Sequence, residues 1–597
     1  MNLSGKIKKV NKQEAGAYLL LILLFIVSFV LYGFIADYVL FYQEKDSLFI
    51  FSTNYLQTFL DRPGGLLEYS GDFLTTFYYK KILGAFLLSM IIFLIVFYIQ
   101  KIVSSLSQSK IFHFLPIAVG GVLILLQSDY HFEAYTHIGV LIVVSLFYYT
   151  IRYSSKLKGF FPVIIFPILF YLIGGFALIY GIMVIFWIAI TAEIRKKILL
   201  PIAFLIEIIT VVFVSKEYLF YITQHDILLA PLPFFSESGI LKPVILLVLL
   251  LAIIPLAKFL KPIKIEKKKF ANAFFRFGLP LLVLTGIISG ITKNINQNNI
   301  GFFKVEKMYF DNQLGEMIRY NQRNPSSNLI VNYYNNLALS ETGQLCSRMF
   351  SFPQNSNYNP LFLTWETKVE IFKRGGYFYY NLGLINEAHR WAYEAMVMNG
   401  YTPEIMKMLI KTDLINGNFN TAEKYINILK RTIYYRDDAL YYERMLNDNA
   451  LLAKDKELGS KKQIKLEDDF FILSKEPEAN IDYVLHADSL NKIALEYKFA
   501  NLMLKNDVES IIKLLPSLEK CGYSAIPKHI DEAVTAYKLL NVGEVPELKK
   551  LKISVDAEQR FSSYYQVFRQ YNNNLAAAKQ TLSRNFSNTY WYYVFYK

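Results

Sequence analysis

The chain has 597 residues, 54% of them hydrophobic and only 19% charged, with a mean hydropathy of +0.28. That is too apolar for one water-soluble globule and long enough for two domains. The formal net charge is +14, but much of the excess lies in short loops beside apolar runs, where basic side chains meet anionic headgroups, so nucleic-acid binding is set aside.

Residues 1–292 read as a polytopic membrane domain. The first apolar run, Ala17 to Ala36, follows Lys6, Lys8, Lys9 and Lys12. Its length and the lack of a small-residue cleavage pattern predict a retained transmembrane helix with the amino terminus inside. Further runs lie at about 82–100, 111–127, 134–151, 159–175, 176–193, 198–215, 241–258 and 277–292. Basic clusters follow every second run: Lys101 and Lys110; Arg152, Lys156 and Lys158; Arg195, Lys196 and Lys197; and Lys258 through Lys269. Lysine and arginine hold short loops in the cytoplasm, so the carboxy-terminal half is expected outside it. The stretch from Gly159 to Glu193 is divided at Gly174-Gly175, because one helix of that length overshoots a ~30 Å hydrocarbon core. The expected count is about nine crossings.

A long outside segment, 38–81, follows the first run. Its aromatic and aliphatic residues recur at mixed helical spacings and are interrupted by Arg62-Pro63-Gly64-Gly65. This predicts short amphipathic helices on the outer leaflet. Asp37 stands at the outer end of the first run, where an ionisable group is costly unless it faces water or a partner. It is a candidate catalytic carboxylate, weighed against a helix-end residue that reaches interfacial water. Arg62, on a Pro/Gly turn, suits bidentate capture of a phosphate, and Glu68 in the same segment is taken with it as a substrate contact. An interfacial anchor is the simpler alternative for Arg62.

The next outside loop, Gln127 to Glu133 and on to His137, gathers Asp129, His131 and Glu133. Such groups serve as general base or substrate clamp. A metal ion would need all three to converge in an extended loop, and no cysteine or HExxH spacing accompanies them. A divalent metal is therefore not indicated by any motif, and the cofactor stays open. The loop from about Ser215 to Ile240, with Lys216, Glu217, His225, Asp226 and Glu237, reads as a gate or a connector. No P-loop, GxGxxG, GxSxG or kinase signature is present.

An inside amino terminus, an acidic residue ending the first helix, a long amphipathic first loop and an acidic loop after the third helix together resemble the glycosyltransferase C superfamily over residues 10–292. The resemblance implies use of a polyprenyl-phosphate-linked sugar and a catalytic carboxylate in the first outside loop. It places Asp37 there, with Asp129 and His131 in the second polar loop. The chain departs from that pattern at Tyr38, where many members carry a second acidic residue, and it has no DxD. The whole sequence, including Arg62-Pro63-Gly64-Gly65 and Gln127-Ser128-Asp129-Tyr130-His131, also resembles a bacterial membrane-protein family of unknown function.

Residues 293–597 shift to Asn, Gln, Glu, Lys and Tyr. Gly383 and Gly417 are 34 residues apart, as are Ala388 and Ala422. That is the tetratricopeptide period, so the half is expected to be an extracytoplasmic α-solenoid. Further hairpins are drawn around 337–343, 494–515 and 561–581. The tyrosine-rich patches at 377–380, 434–435, 441–442 and 590–593 read as packing, with ligand recognition as the alternative. Cys346 and Cys521 read as buried thiols or, if adjacent, a disulfide pair.

The expected fold class is all-α: transmembrane helices followed by a helical-repeat domain, in a bacterial plasma membrane. The leading functional expectation is a membrane glycosyltransferase moving a sugar or glycan from a polyprenyl-phosphate-linked donor to an exported acceptor, with a protein partner on the solenoid. The alternative is a non-catalytic membrane-anchored scaffold for envelope-protein assembly. Transport fits less well, since no inverted repeat is visible.

Overall fold

The computed structural model of the protein describes residues 12–106, 114–153, 161–192, 198–233, 241–258, 274, 278–295, 297–354, 359–365, 369–446, 448–467, 472–473, 475–540, 542–571 and 574–596. Lys110, Lys156, Lys158, Arg195, Lys196, Lys197 and the cluster 259–269 lie outside the described residues. Among those described, helices form and no strand does. The chain divides into two compact units, Met1–Asn296 with Arg431–Tyr434, and Gln297–Lys430 with Tyr435–Lys597.

The first unit is built from α1 (Lys12–Val30), α2 (Asp37–Asp46), α3 (Gly65–Thr76), α4 (Lys81–Leu106), α5 (Phe114–Gln127), α6 (Tyr135–Tyr153), α7 (Phe161–Ile173), α8 (Phe176–Thr191), α9 (Leu199–Val214), α10 (Leu241–Ile253) and α11 (Leu279–Asn294). Five stretches, Tyr18–Ile35, Lys81–Leu106, Tyr135–Tyr153, Leu199–Leu219 and Leu241–Lys258, are long and apolar enough to cross a membrane. Three more apolar helices, α5, α7 and α8, are shorter. On α9, Ile202, Leu205, Ile206, Ile209 and Phe213 are all exposed. That stripe is unfavourable in water and natural against lipid tails, so this is a membrane protein.

Helix α5 is apolar all round, and 12 of its 14 residues are buried, which makes it the centre of the unit. Close approach depends on its glycines: a Cβ at Gly120 would strike Leu24 and Val96, and one at Gly121 would strike Ile287. Around it Ile95, Ile99, Val119, Leu123, Val140, Val144, Phe147 and Phe176 form a continuous buried core. The break between α7 and α8 falls at Gly174, whose φ of +55° suits glycine.

The second unit contains two consecutive helical hairpins. The first is α12 (Val369–Leu382) with α13 (Ile385–Asn399), and the second is α14 (Pro403–Asn416) with α15 (Phe419–Leu429). Their turns are Gly383 (φ +86°) and Gly417 (φ +79°), and Ala388 and Ala422 are fully buried where paired helices approach. Pro403 opens α14 in its first turn, where a missing N–H costs nothing. The stretches 337–343, 494–515 and 561–581 also contain turns between helices. Phe378, Tyr379, Tyr380, Tyr435, Tyr442, Tyr590 and Trp591 are buried packing residues, whereas Tyr441 is exposed. Cys346 and Cys521 are buried free thiols.

Candidate functional site

Four connections of the first unit meet at one end of its helices. The Gly64 N–H donates to Tyr171 O at 3.0 Å, and the Gly175 N–H to Ala230 O at 2.8 Å. Gly64 (φ +78°) and Gly174 both lie against Pro231, with no room for a Cβ at either position. The Pro63-Gly64, Gly174-Gly175 and Ala230-Pro231 turns therefore interlock.

The loop between α5 and α6 joins this end through side chains of α2. Tyr38 OH donates to Ser128 O (3.4 Å) and Gln43 Nε2 to Phe132 O (2.6 Å). The Tyr42 ring meets Tyr130 edge-on at 4.7 Å. Gly71 lets α3 lie directly against Tyr135 at the start of α6.

This architecture places the sequence-predicted residues in three groups. Asp37 opens α2, and its Oδ2 lies 3.4 Å from Lys81 Nζ at the start of α4, both side chains being exposed. Asp129 and His131 form the second group. Asp129 Oδ1 accepts the His131 backbone N–H at 3.0 Å and lies 3.2 Å from His131 Nδ1, while the His131 ring packs on Tyr42 and Tyr130.

The third group is Arg62, Glu68 and Glu133, joined by Asp72 and Tyr55. Arg62 donates from Nε (2.8 Å) and Nη2 (2.5 Å) to Glu68 Oε2, and its guanidinium lies 5.6 Å from the Phe59 ring centre. Nη1 faces Asp61 Oδ1 at 3.4 Å. Burial raises the Glu68 pKa against the pull of Arg62. Asp72 accepts a 2.6 Å hydrogen bond from Tyr55 OH; burial pushes its pKa up to about 6, and Glu68 and Asp46 add to the rise.

Glu133, in the loop before α6, is exposed to solvent and lies within electrostatic reach of this group. Burial first, then repulsion from Asp72, Glu68 and Asp46, pushes its pKa up to about 8. Its carboxyl therefore holds a proton to higher pH than that of Asp72 does.

Sequence reading leaves Asp72, Tyr55 and Lys81 out of the site. The four-residue spacing of Glu68 and Asp72 on α3 is the signal that finds Asp72. His137 joins none of the groups: it is fully buried, with its ring edge-on to Phe132. In the 215–233 connection, Lys216 pairs with Glu217 and His225 with Asp226; Glu237 lies outside the described residues. Among the described residues no three His, Cys, Asp or Glu side chains are arranged to hold a metal ion.

Apolar helices with a cluster of titratable side chains at one end, followed by a helical second unit, define an α-helical membrane protein. The chain belongs to a family of unknown function (DUF6057), which it matches over residues 12–597. No curated protein and no solved structure matches it.

Proposed function

We propose that the protein is a membrane glycosyltransferase that moves a sugar or glycan from a polyprenyl-phosphate-linked donor to an exported acceptor such as a protein. The observation that carries this reading is the juxtaposition of Glu133, Asp72 and the Arg62–Glu68 pair at the end where four connections meet. In this reading the chain crosses a bacterial plasma membrane nine times with its amino terminus in the cytoplasm, and that end and the tetratricopeptide-like second unit lie outside.

The acceptor hydroxyl attacks the anomeric carbon and loses its proton to Asp37 or Asp129. The bond from that carbon to the carrier phosphate oxygen breaks, and the phosphate leaves as an anion. Arg62 and the protonated Glu133 donate hydrogen bonds to the departing charge. The acceptor oxygen thus gains the sugar, the carrier keeps the bonding electron pair, and no oxidant or reductant is needed.

The test compares envelope glycans and lipid-linked glycans in cells carrying a deletion, the native gene, Asp37→Asn or Glu133→Gln at matched abundance. Loss of one glycan with build-up of its lipid-linked donor in the deletion and in either variant supports the transferase. Unchanged glycans alongside altered envelope-protein associations replace it with the scaffold reading, to which the paired hairpins of the second unit are also suited.

A further inference from the structure

In the second unit, α13 and α14 bring a histidine and a carboxylate together beneath an aromatic rim. Thr412 Oγ1 donates to Met408 O at 2.8 Å, the usual bond of a helical threonine to the preceding turn. Its proton is committed there, so its oxygen accepts from His389 Nδ1 at 2.9 Å. Asp413 Oδ1 lies 3.7 Å from the same nitrogen. A nitrogen facing two acceptors carries the hydrogen, which leaves Nε2 of the neutral ring with a lone pair.

Asp413 is the deeper group. Its side chain is 2% exposed, Oδ1 also accepts from Asn418 Nδ2 at 3.2 Å, and Oδ2 has no hydrogen-bond partner. Among the described residues no lysine or arginine pairs with it. A buried carboxylate oxygen without a donor is costly unless a donor reaches it.

The rim consists of tyrosines. Tyr393 stacks near His389, with ring centres 6.5 Å apart and planes at 16°. The Tyr425 hydroxyl lies within electrostatic reach of Asp413, Tyr393 and Tyr401. Tyr393 and Tyr401 are 47% and 41% exposed, and beside them Val397 and Met398 form an exposed apolar shelf.

The donors here, Asn418 Nδ2 and His389 Nδ1, are already spent on Asp413 Oδ1 and Thr412 Oγ1, which leaves acceptors and phenols, and aromatic faces attract cations. An anion would be repelled by Asp413, and one histidine with one carboxylate is too few ligands for a metal ion, in keeping with the absence of any three-ligand group among the described residues. The apolar shelf matches the methylene stem of a basic side chain. We propose that His389, Asp413, Tyr393, Tyr401 and Tyr425 form a binding site for an ammonium or guanidinium group, carried on a lysine or arginine side chain of a partner polypeptide. The site stands independently of the transferase reading.

The test uses the full-length protein in lipid nanodiscs and three probes: acetyl-Gly-Lys-Gly-amide, the same peptide acetylated at the lysine Nε, and methylammonium. Binding is read by saturation-transfer NMR and calorimetry. The charged peptide should bind at least about tenfold more tightly than the acetylated one, and Tyr393→Ala and Tyr401→Ala should each weaken it about threefold to tenfold. These rim positions carry the test because they are exposed; Asp413→Asn, at a buried site, is added only if the variant keeps the native unfolding temperature, and should abolish binding. Methylammonium matching the peptide would replace the polypeptide partner with a small amine and overturn that part. No binding, equal binding of both peptides, or rim variants without effect would overturn the site.

Discussion

Arg62 spends two of its donors, Nε and Nη2, on a single oxygen of Glu68. A phosphate bound at Arg62, as the transferase reading requires, would therefore compete with an internal carboxylate for the same guanidinium. Glu68→Gln is expected to strengthen binding of a polyprenyl phosphate by about twofold to fivefold and Arg62→Ala to weaken it by as much, since a partly exposed ion pair is worth about 1 kcal/mol or less. Quenching of intrinsic fluorescence in nanodiscs measures both, and equal affinities in the three proteins would remove Arg62 from the binding site.

Glu133 gives the first unit a pH response. Its pKa is raised in the folded protein, so the stability it contributes is fully present below its unfolded value of about 4.3 and is lost as pH climbs through about 8. The unfolding temperature should fall over that interval, and Glu133→Gln should flatten the slope. Infrared difference spectra should show a carboxylic-acid C=O band titrating near the same pH and missing from the variant.

The second unit should respond in the opposite direction. His529 Nε2 accepts the Phe350 N–H at 3.3 Å, and Nδ1 therefore donates to Glu532 Oε2 at 2.9 Å. Burial holds the His529 pKa below its usual value despite Glu532. A depressed histidine contributes stability above its unfolded pKa of about 6.5 that is lost as pH falls below it. Tyr590 N–H and Trp591 Nε1 also bond Glu532, at 2.8 and 2.7 Å, so the loss should appear first at the carboxy-terminal helix Tyr590–Tyr596. Hydrogen exchange of that helix at pH 5 and pH 7.5, in the native protein and in His529→Gln, measures it.

Gly375 on α12 faces the ring of the fully buried Trp391 on α13, with no space for a methyl group between them. Gly375→Ala is expected to destabilise the second unit by about 1–3 kcal/mol, and adding Trp391→Phe should recover part of the loss. Urea titrations followed by near-UV circular dichroism compare the three proteins; an unchanged midpoint in Gly375→Ala would refute the close contact.

Much of the helix inventory was legible from hydropathy, because apolar runs of spanning length and glycines at turns are local properties. Gly174 divides two helices and Gly383 and Gly417 end two others for the same local reason, a positive φ. The Asp129–His131 pair was equally local, two residues apart in one loop. What stayed hidden depended on distant contacts. Asp37 meets Lys81 from 44 residues away, and Asp72 reaches Glu133 only because Gly71 lets α3 lie against Tyr135. Chemical character in the sequence marked carboxylates, but which of them would hold a proton depended on burial.

The interlocked turns at Gly64, Gly174 and Pro231 set how this end of the unit can move. Two of their links are main-chain hydrogen bonds and the remaining contact is backbone against a proline ring, so no rotamer change can unfasten them. The loop between α5 and α6 is tied to α2 by Tyr38, Tyr42 and Gln43, through their side chains. The first set of ties holds through any side-chain motion, whereas the second loosens when side chains change rotamer, so the α2 side is the more yielding of the two.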